Sequence, residues 1–231
     1  MRGLKPKAQV LAVLPVLVLL GSCAGVLPRP PESPPMTYLL APDLPQRDRE
    51  PGHPAGARPT LLVAEPKAAA GYSTRRMAYL EQDYRIDHFA EHEWVDAPAA
   101  MLGPLLVTAL RGNAAFGAVS EEALGISADL RLDTLIESLY QDFRTRPSLA
   151  RVELRVGLVD PNGRRVLATQ VFADTELATS EDAYGGVVAV NRILTRMLPR
   201  IADFAAENAL RLRAIAPRAE TRAQSSEPQS M

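Results

Sequence analysis

The period of apolar and polar positions changes several times along this chain, and each change marks an element. Arg151 to Asp160 alternates most cleanly: Val152, Leu154, Val156 and Leu158 share one face, while Arg151, Glu153 and Arg155 share the other. That pattern predicts a strand with one buried and one solvated side. Asp160-Pro161-Asn162-Gly163 follows as a turn, with Pro pre-set for its second position and Gly free to take positive φ. Val166 to Phe172 then returns as the partner strand. Upstream, Asp129 to Phe143 alternates imperfectly, with Leu130 and Leu132 on one parity and Leu135, Leu139 and Phe143 on the other. A bulge near Thr134-Leu135 would restore the facing.

Earlier segments read the same way. Thr60 to Ala64 is a β-like run stopped by Pro66, and Gly71-Tyr72 is a turn signal. Arg76–Leu80 and Arg85–Phe89 read as a hairpin pair around residues 81–84. The period then lengthens. Met101, Leu102, Leu105, Leu106, Ala109 and Leu110 recur at helical spacing, after Pro98 and with Asp96 placed to cap. Gly103-Pro104 should either kink that helix or delay its start to Pro104. From Ser180 a second helix carries Val187, Val190, Leu194, Met197, Ile201 and Phe204 as one stripe, with Pro199 expected to bend it. Together these predict a single α+β domain with a largely antiparallel sheet and two main helices on one face.

The two ends of the chain differ from this middle. Arg2, Lys5 and Lys7 precede an apolar run from Ala8 to Leu20, broken only by Gln9 and Pro15. This is the form of a secretory signal peptide, too short for the roughly 20 apolar residues that span a bilayer. Prolines crowd the stretch from Pro28 to Pro59, which favours an extended, solvated chain and suits a tether. Within it Met36 to Leu40 is an apolar island that reads as a first strand, and residues 42–59 read as a loop. The division is therefore residues 1–22 as leader, 23–59 as anchor and tether, 60–210 as the α+β domain and 211–231 as a disordered tail.

Composition narrows the function classes. Removing Arg2, Lys5 and Lys7 with the leader takes the formal charge from −1 to −4, so no basic patch argues for nucleic acid. Cys23 is the only cysteine; once acylated it leaves no thiol for a disulfide or a thiolate metal site. His88, Glu91, His92 and Glu93 form the one cluster that suggests a metal, and His92 to Asp96 echoes the zincin motif HExxH with Asp96 in place of its second His. They read as a strand edge, where residues four apart lie about 13 Å from each other, too far for one ion. There is no G-x-S-x-G elbow and no Walker motif, so the reading is of a non-enzyme with no cofactor and no metal. Trp94, the only tryptophan, is either a core residue or an interface anchor, core packing being the favoured reading. His53 lies in the proline-rich stretch and reads as solvent-exposed.

Leu20-Gly21-Ser22-Cys23 resembles the lipobox of bacterial lipoproteins, with Gly21 less usual at its position than Ala or Ser. The resemblance implies cleavage before Cys23 and acylation of both its thiol and its new amino terminus. Two or three chains make a stable anchor where one does not. Ala24 rather than Asp after the cysteine implies an outer-membrane destination. The order of elements behind this leader resembles the auxiliary lipoprotein component of MCE-type ABC transporters, which includes the paraquat-inducible lipoproteins. Tyr38-Leu39-Leu40, Trp94 with Pro98, the Asp129–Tyr140 strand, the Val152–Asp160 arm and the helix near Gly185 carry the likeness. It implies a periplasm-facing role in lipid or hydrophobic-compound traffic, with an MCE-domain protein, a permease and an ATPase as partners. It also allows a homo-oligomeric ring. The alternative reading is an independent carrier lipoprotein with its own lipid or small-molecule cavity.

Overall fold

The computed structural model describes residues 34–44, 58–121, 128–161 and 165–224, with side chains through Arg211. The lipobox Leu20, Gly21, Ser22 and Cys23, His53, and the Asn162-Gly163 half of the predicted turn lie outside the described residues.

The longest strand organises the unit from Pro35 onward. Nine strands run in chain order as β1 (Met36–Tyr38), β2 (Thr60–Val63), β3 (Lys67–Ala68), β4 (Arg76–Gln82), β5 (Arg85–Trp94), β6 (Ala118–Glu121), β7 (Leu130–Asp142), β8 (Leu149–Val159) and β9 (Val166–Leu177). Helix α1 (Pro98–Arg111) lies between β5 and β6, and α2 (Ala183–Gln224) follows β9. One edge of β7 pairs antiparallel with β8, and β8 with β9. Along its other edge β7 is tiled by three short strands, all parallel to it. Leu61 of β2 pairs with Leu130, Lys67 of β3 with Leu135, and Ala78 of β4 with Tyr140. Beyond them, β6 joins β2 in parallel, β5 joins β4 antiparallel, and β1 joins β5 in parallel.

The sheet is therefore mixed, which corrects the expectation of a largely antiparallel one: five of the eight strand pairings are parallel. Alternation reveals which face a residue takes, not the direction of its partner. Between β2 and β7 the chain passes through α1, and a crossover of that kind is what a parallel pairing requires. The expected meander holds only for β7–β8–β9. The α+β class, the single domain and the helices on one face all stand: α1 packs on β2, β3 and β6, α2 packs on β7 to β9, and the helices touch each other.

The core lies between helices and sheet. Val152, Leu154, Val156 and Leu158 of β8 are each within 1% of full burial, as the alternation predicts. The parity change in β7 is resolved by a bulge at Glu137, between the pairs Ile136↔Leu154 and Ser138↔Glu153. It sits slightly later than the predicted Thr134-Leu135 position, because Thr134 and Ile136 both stay inward and Leu139 is the first residue out of step. In α2, Val187, Val190, Leu194, Met197 and Ile201 are buried, and the helix continues through Pro199. It is helical to Gln224, past the point where the sequence places a disordered tail; residues 211–224 are rich in Ala and Arg, which favour helix.

Helix α1 starts at Pro98, so Gly103-Pro104 does not delay it. Asp96 does not cap it. Ala97 is the N-cap, and Asp96 Oδ1 instead accepts the adjacent Ala97 amide at 2.7 Å, one residue too early to reach the first turn. The β4–β5 hairpin closes through Asp83-Tyr84, and Tyr84 takes φ 65°. That region suits Gly or Asn and costs a bulky L-residue about 1 kcal/mol or more. Tyr84→Gly should therefore raise the denaturation free energy by about 1 kcal/mol. Urea midpoints of the two proteins measure this, and a lower midpoint for the variant would show that the ring supports the fold.

Candidate functional site

Strand register collects three chain reversals at one end of the sheet. Leu80 of β4 pairs with Asp142 of β7, Asp142 with Leu149 of β8, and Leu149 with Leu177 of β9. The β4–β5 hairpin tip, the β7–β8 turn, the end of β9 and the start of α2 consequently lie together. Ala178 N donates to Ser148 O at 2.8 Å and fixes the approach to α2.

The start of α2 is built from small residues and one carboxylate. Asp182 Oδ1 accepts the Gly185 amide at 2.8 Å and the Ser180 hydroxyl at 2.6 Å. These bonds, together with the positive side of nearby His92, hold the Asp182 carboxyl below its ordinary value of 3.8. A Cβ on Gly185 would stand 2.2 Å from the Ser180 carbonyl oxygen. One on Gly186 would stand 2.3 Å from Gln141 Oε1. Gln141 cannot easily withdraw: it is buried, and its Nε2 donates to Ser148 Oγ at 3.0 Å. Ser148 N in turn donates to Glu181 Oε1 at 2.8 Å. The Gly185-Gly186 pair thus lets α2 sit directly on β7 and the β8 turn.

Half-buried aromatic rings spread from this junction over the helix side of β4 and β5. Tyr79 lies 4.7 Å from Phe89 and 5.8 Å from Phe143, ring centre to ring centre. Phe89 meets His92 edge-on at 5.8 Å, and the Tyr38 hydroxyl is 3.2 Å from His92 Nδ1. On the opposite face Tyr72 stacks on Tyr140 at 6.4 Å. Below the hairpin tip, Arg144 is held by Asp142 and Asp83, which keeps the Asp142 carboxyl below the usual carboxylate range. The result is a ring-rich surface with internally paired charges, suited to contact and lacking an arranged nucleophile, base and oxyanion site among the bonds described.

The sequence-selected residues fall as follows. Trp94 is 4% exposed, with its ring in the core; its carbonyl accepts Arg75 Nε at 3.1 Å. Within the former metal cluster, Glu93 pairs with Arg75 and His92 with Tyr38. Burial and Arg76 push His88 below its ordinary value. Among the described residues no group of three or more candidate ligands could hold a metal ion. Two other surfaces stand out. A cleft of about 410 Å³ lies between Pro66 and the first half of α1, where Pro104 leaves the Ala100 carbonyl without an amide partner. Strand β9, twelve residues long, pairs only with β8 among the described strands.

The model of a family described as the ABC-type transport auxiliary lipoprotein component matches residues 38–202. No curated protein matches the chain. Among solved structures, a protein of Xanthomonas campestris from the DUF330 family is similar at TM-score 0.62 and 19% identity, over 79% of this chain and 98% of that one. A second, uncharacterized protein gives TM-score 0.55 and 14% identity over 76% and 99%. PelC of Paraburkholderia phytofirmans, solved as a dodecamer, gives TM-score 0.42 and 10% identity over 68% and 90%, too distant to bear on assembly here. The first two likenesses are of fold.

Gly185→Ala should cost about 3 kcal/mol, since backbone rather than a side chain must shift; the loss is read from urea denaturation. Asp182 contributes stability that is complete above its ordinary value of 3.8 and is lost as pH falls through its lower folded value. Asp182→Asn keeps a capping oxygen, so stability at neutral pH should change by less than about 1 kcal/mol. Its thermal midpoint should then fall less steeply than wild type as acid is added.

Proposed function

The chain belongs to the family of ABC-type transport auxiliary lipoprotein components, and on that premise we propose that it is the non-catalytic, lipid-anchored scaffold of an MCE-type system. In this reading Cys23 carries the acyl chains, residues 23–59 are the anchor and proline-rich tether with a first short strand, and the α+β domain of residues 60–210 docks an MCE-domain protein with its permease and ATPase. The cargo is a lipid or another hydrophobic compound moving between the membranes, and the anchor sits in the outer membrane. One observation carries the proposal: the family match runs from the last residue of β1 into α2 and so takes in all of β2 to β9. The domain division and the lipidation site at Cys23 are parts of the same proposal.

The mechanism is positional. Acylation fixes the membrane, the proline-rich stretch sets the reach, and the unpaired edge of β9 offers backbone groups to which a partner strand can add. Asp174 and Glu176 of β9 are turned to Arg196 of α2, so they do not guard that edge. Among the described residues no helix is long and apolar enough to cross a membrane. The carrier alternative calls for a cavity between helices and sheet; under α2 that space is filled by Leu154, Leu158, Phe172, Ile193, Leu194 and Met197, which leaves it the cleft beside α1.

Purification of the lipidated protein from its native envelope in mild detergent tests the proposal. An MCE-domain protein, a permease and an ATPase should come down with it. Recovery of the lipoprotein alone, with a stoichiometric lipid inside its fold, would support the independent carrier instead.

A further inference from the structure

Four of the ten exposed large apolar residues among the described residues, including both exposed tyrosines, stand at one end of the sheet. Tyr84 is fully exposed at 105%, and Ile86 stands beside it at the hairpin tip. Leu177 at the end of β9 and Tyr184 in the first turn of α2 are 57% and 60% exposed, at the same end of the sheet. Tyr84 holds its ring out from a backbone conformation that disfavours it, so the fold gains nothing visible from the residue. Five of the six tyrosines of the chain lie toward this end: Tyr84 and Tyr184 themselves, Tyr79 and Tyr140 on the adjoining strands, and Tyr72 stacked on Tyr140; Tyr38 pairs with Trp94, at the other end of β5. A tyrosine, with an apolar body and a polar tip, is suited to the boundary between water and lipid.

The charges here are compatible with that boundary without supplying the attraction. Asp83 and Asp142 are held by Arg144, Asp87 by Arg85, Glu181 by the Ser148 amide, and Asp182 caps α2. Arg144 and Arg146 are exposed on the β7–β8 turn. The surface is thus not polybasic, and of its carboxylates Glu81, exposed beside the hairpin tip, is the one that neither an ion pair nor a hydrogen bond holds among the described residues. The direction of the chain adds an independent argument. β1 runs parallel to β5, with Met36 opposite His92 and Tyr38 opposite Trp94, so the chain enters β1 from the side of the hairpin tip. The segment 24–35 that precedes it reaches at most about 40 Å when extended.

We propose that the end of the sheet carrying Tyr84, Ile86, Leu177 and Tyr184 is laid against a lipid bilayer, with the two tyrosine rings at the level of the headgroups. The contact rests on the reading of Cys23 as a lipid anchor, which supplies most of the affinity. The protein end supplies orientation: the far end of the sheet, with the α1 cleft and the start of β9, points away from the membrane. Because rings rather than net charge make the contact, it is insensitive to salt.

The full lipidated chain, reconstituted alone in vesicles of phosphatidylethanolamine and phosphatidylglycerol, provides the test. With Cys23 acylated, Tyr84→Cys, Tyr184→Cys and Val166→Cys each offer a single thiol for a nitroxide, the last at the opposite end. Power-saturation measurements should show positions 84 and 184 several-fold more accessible to oxygen than to a water-soluble nickel chelate. Position 166 should show the reverse, and neither pattern should change in high salt. Vesicle association with aqueous readings at both 84 and 184 would overturn the membrane contact while leaving the anchor standing. Dipolar broadening between labels at 84 would assign this end to a second copy and overturn it equally. Failure of the chain to float with the vesicles would remove the anchor and the contact together.

Discussion

A strand of thirteen residues in the middle of a sheet has two full rows of amides and carbonyls to satisfy, and β7 is that strand. β8 satisfies one row along its whole length. The other row is met by three short segments, β2, β3 and β4, laid end to end from separate parts of the chain. Unpaired backbone groups at such depth are costly, so each of these contacts is required. The arrangement explains why the first half of the domain is broken into small pieces while the second half is a plain meander. It also explains why α1 lies where it does, carrying the chain back so that β7 can run beside β2 in the same direction.

Much of the second half is legible in the sequence because its information is local. The alternation of β8 names its buried face outright, and the stripe on α2 names the side that meets the sheet. The parity break in β7 signals an extra residue, and only the true partners decide that Glu137 is that residue. The parallel tiling is not legible, since two-residue β3 has no pattern of its own and its partner lies far along the chain. Asp96 misleads for a related reason: its type suits a cap, but the chain turns one residue later. The ring-rich end is invisible in linear order because Tyr79, Tyr140 and Tyr184 belong to three different elements. Gly185-Gly186 is visible in the sequence only as an adjacent glycine pair, and its meaning needs Ser180 and Gln141 in place.

Family membership and geometry bear on different questions. The family gives the cell-envelope setting and the association with ABC-type transport. The geometry gives a block whose two ends differ: one bears exposed rings and faces the side from which the chain approaches β1, the other the α1 cleft. The proposed scaffold role calls for such polarity, because an anchor alone fixes distance from a membrane and leaves orientation free.

The bare edge of β9 has a consequence for the protein before it reaches its destination. Twelve residues without a proline or a lysine form a template on which another extended chain can grow. Once a partner strand covers the edge the hazard disappears, but a newly exported molecule has no partner. Its survival in transit then depends on how briefly it travels alone and on escorts that shield the edge. Raising expression of this component without its partners should thus invite aggregates from fully folded molecules, and stabilising the core would not cure it.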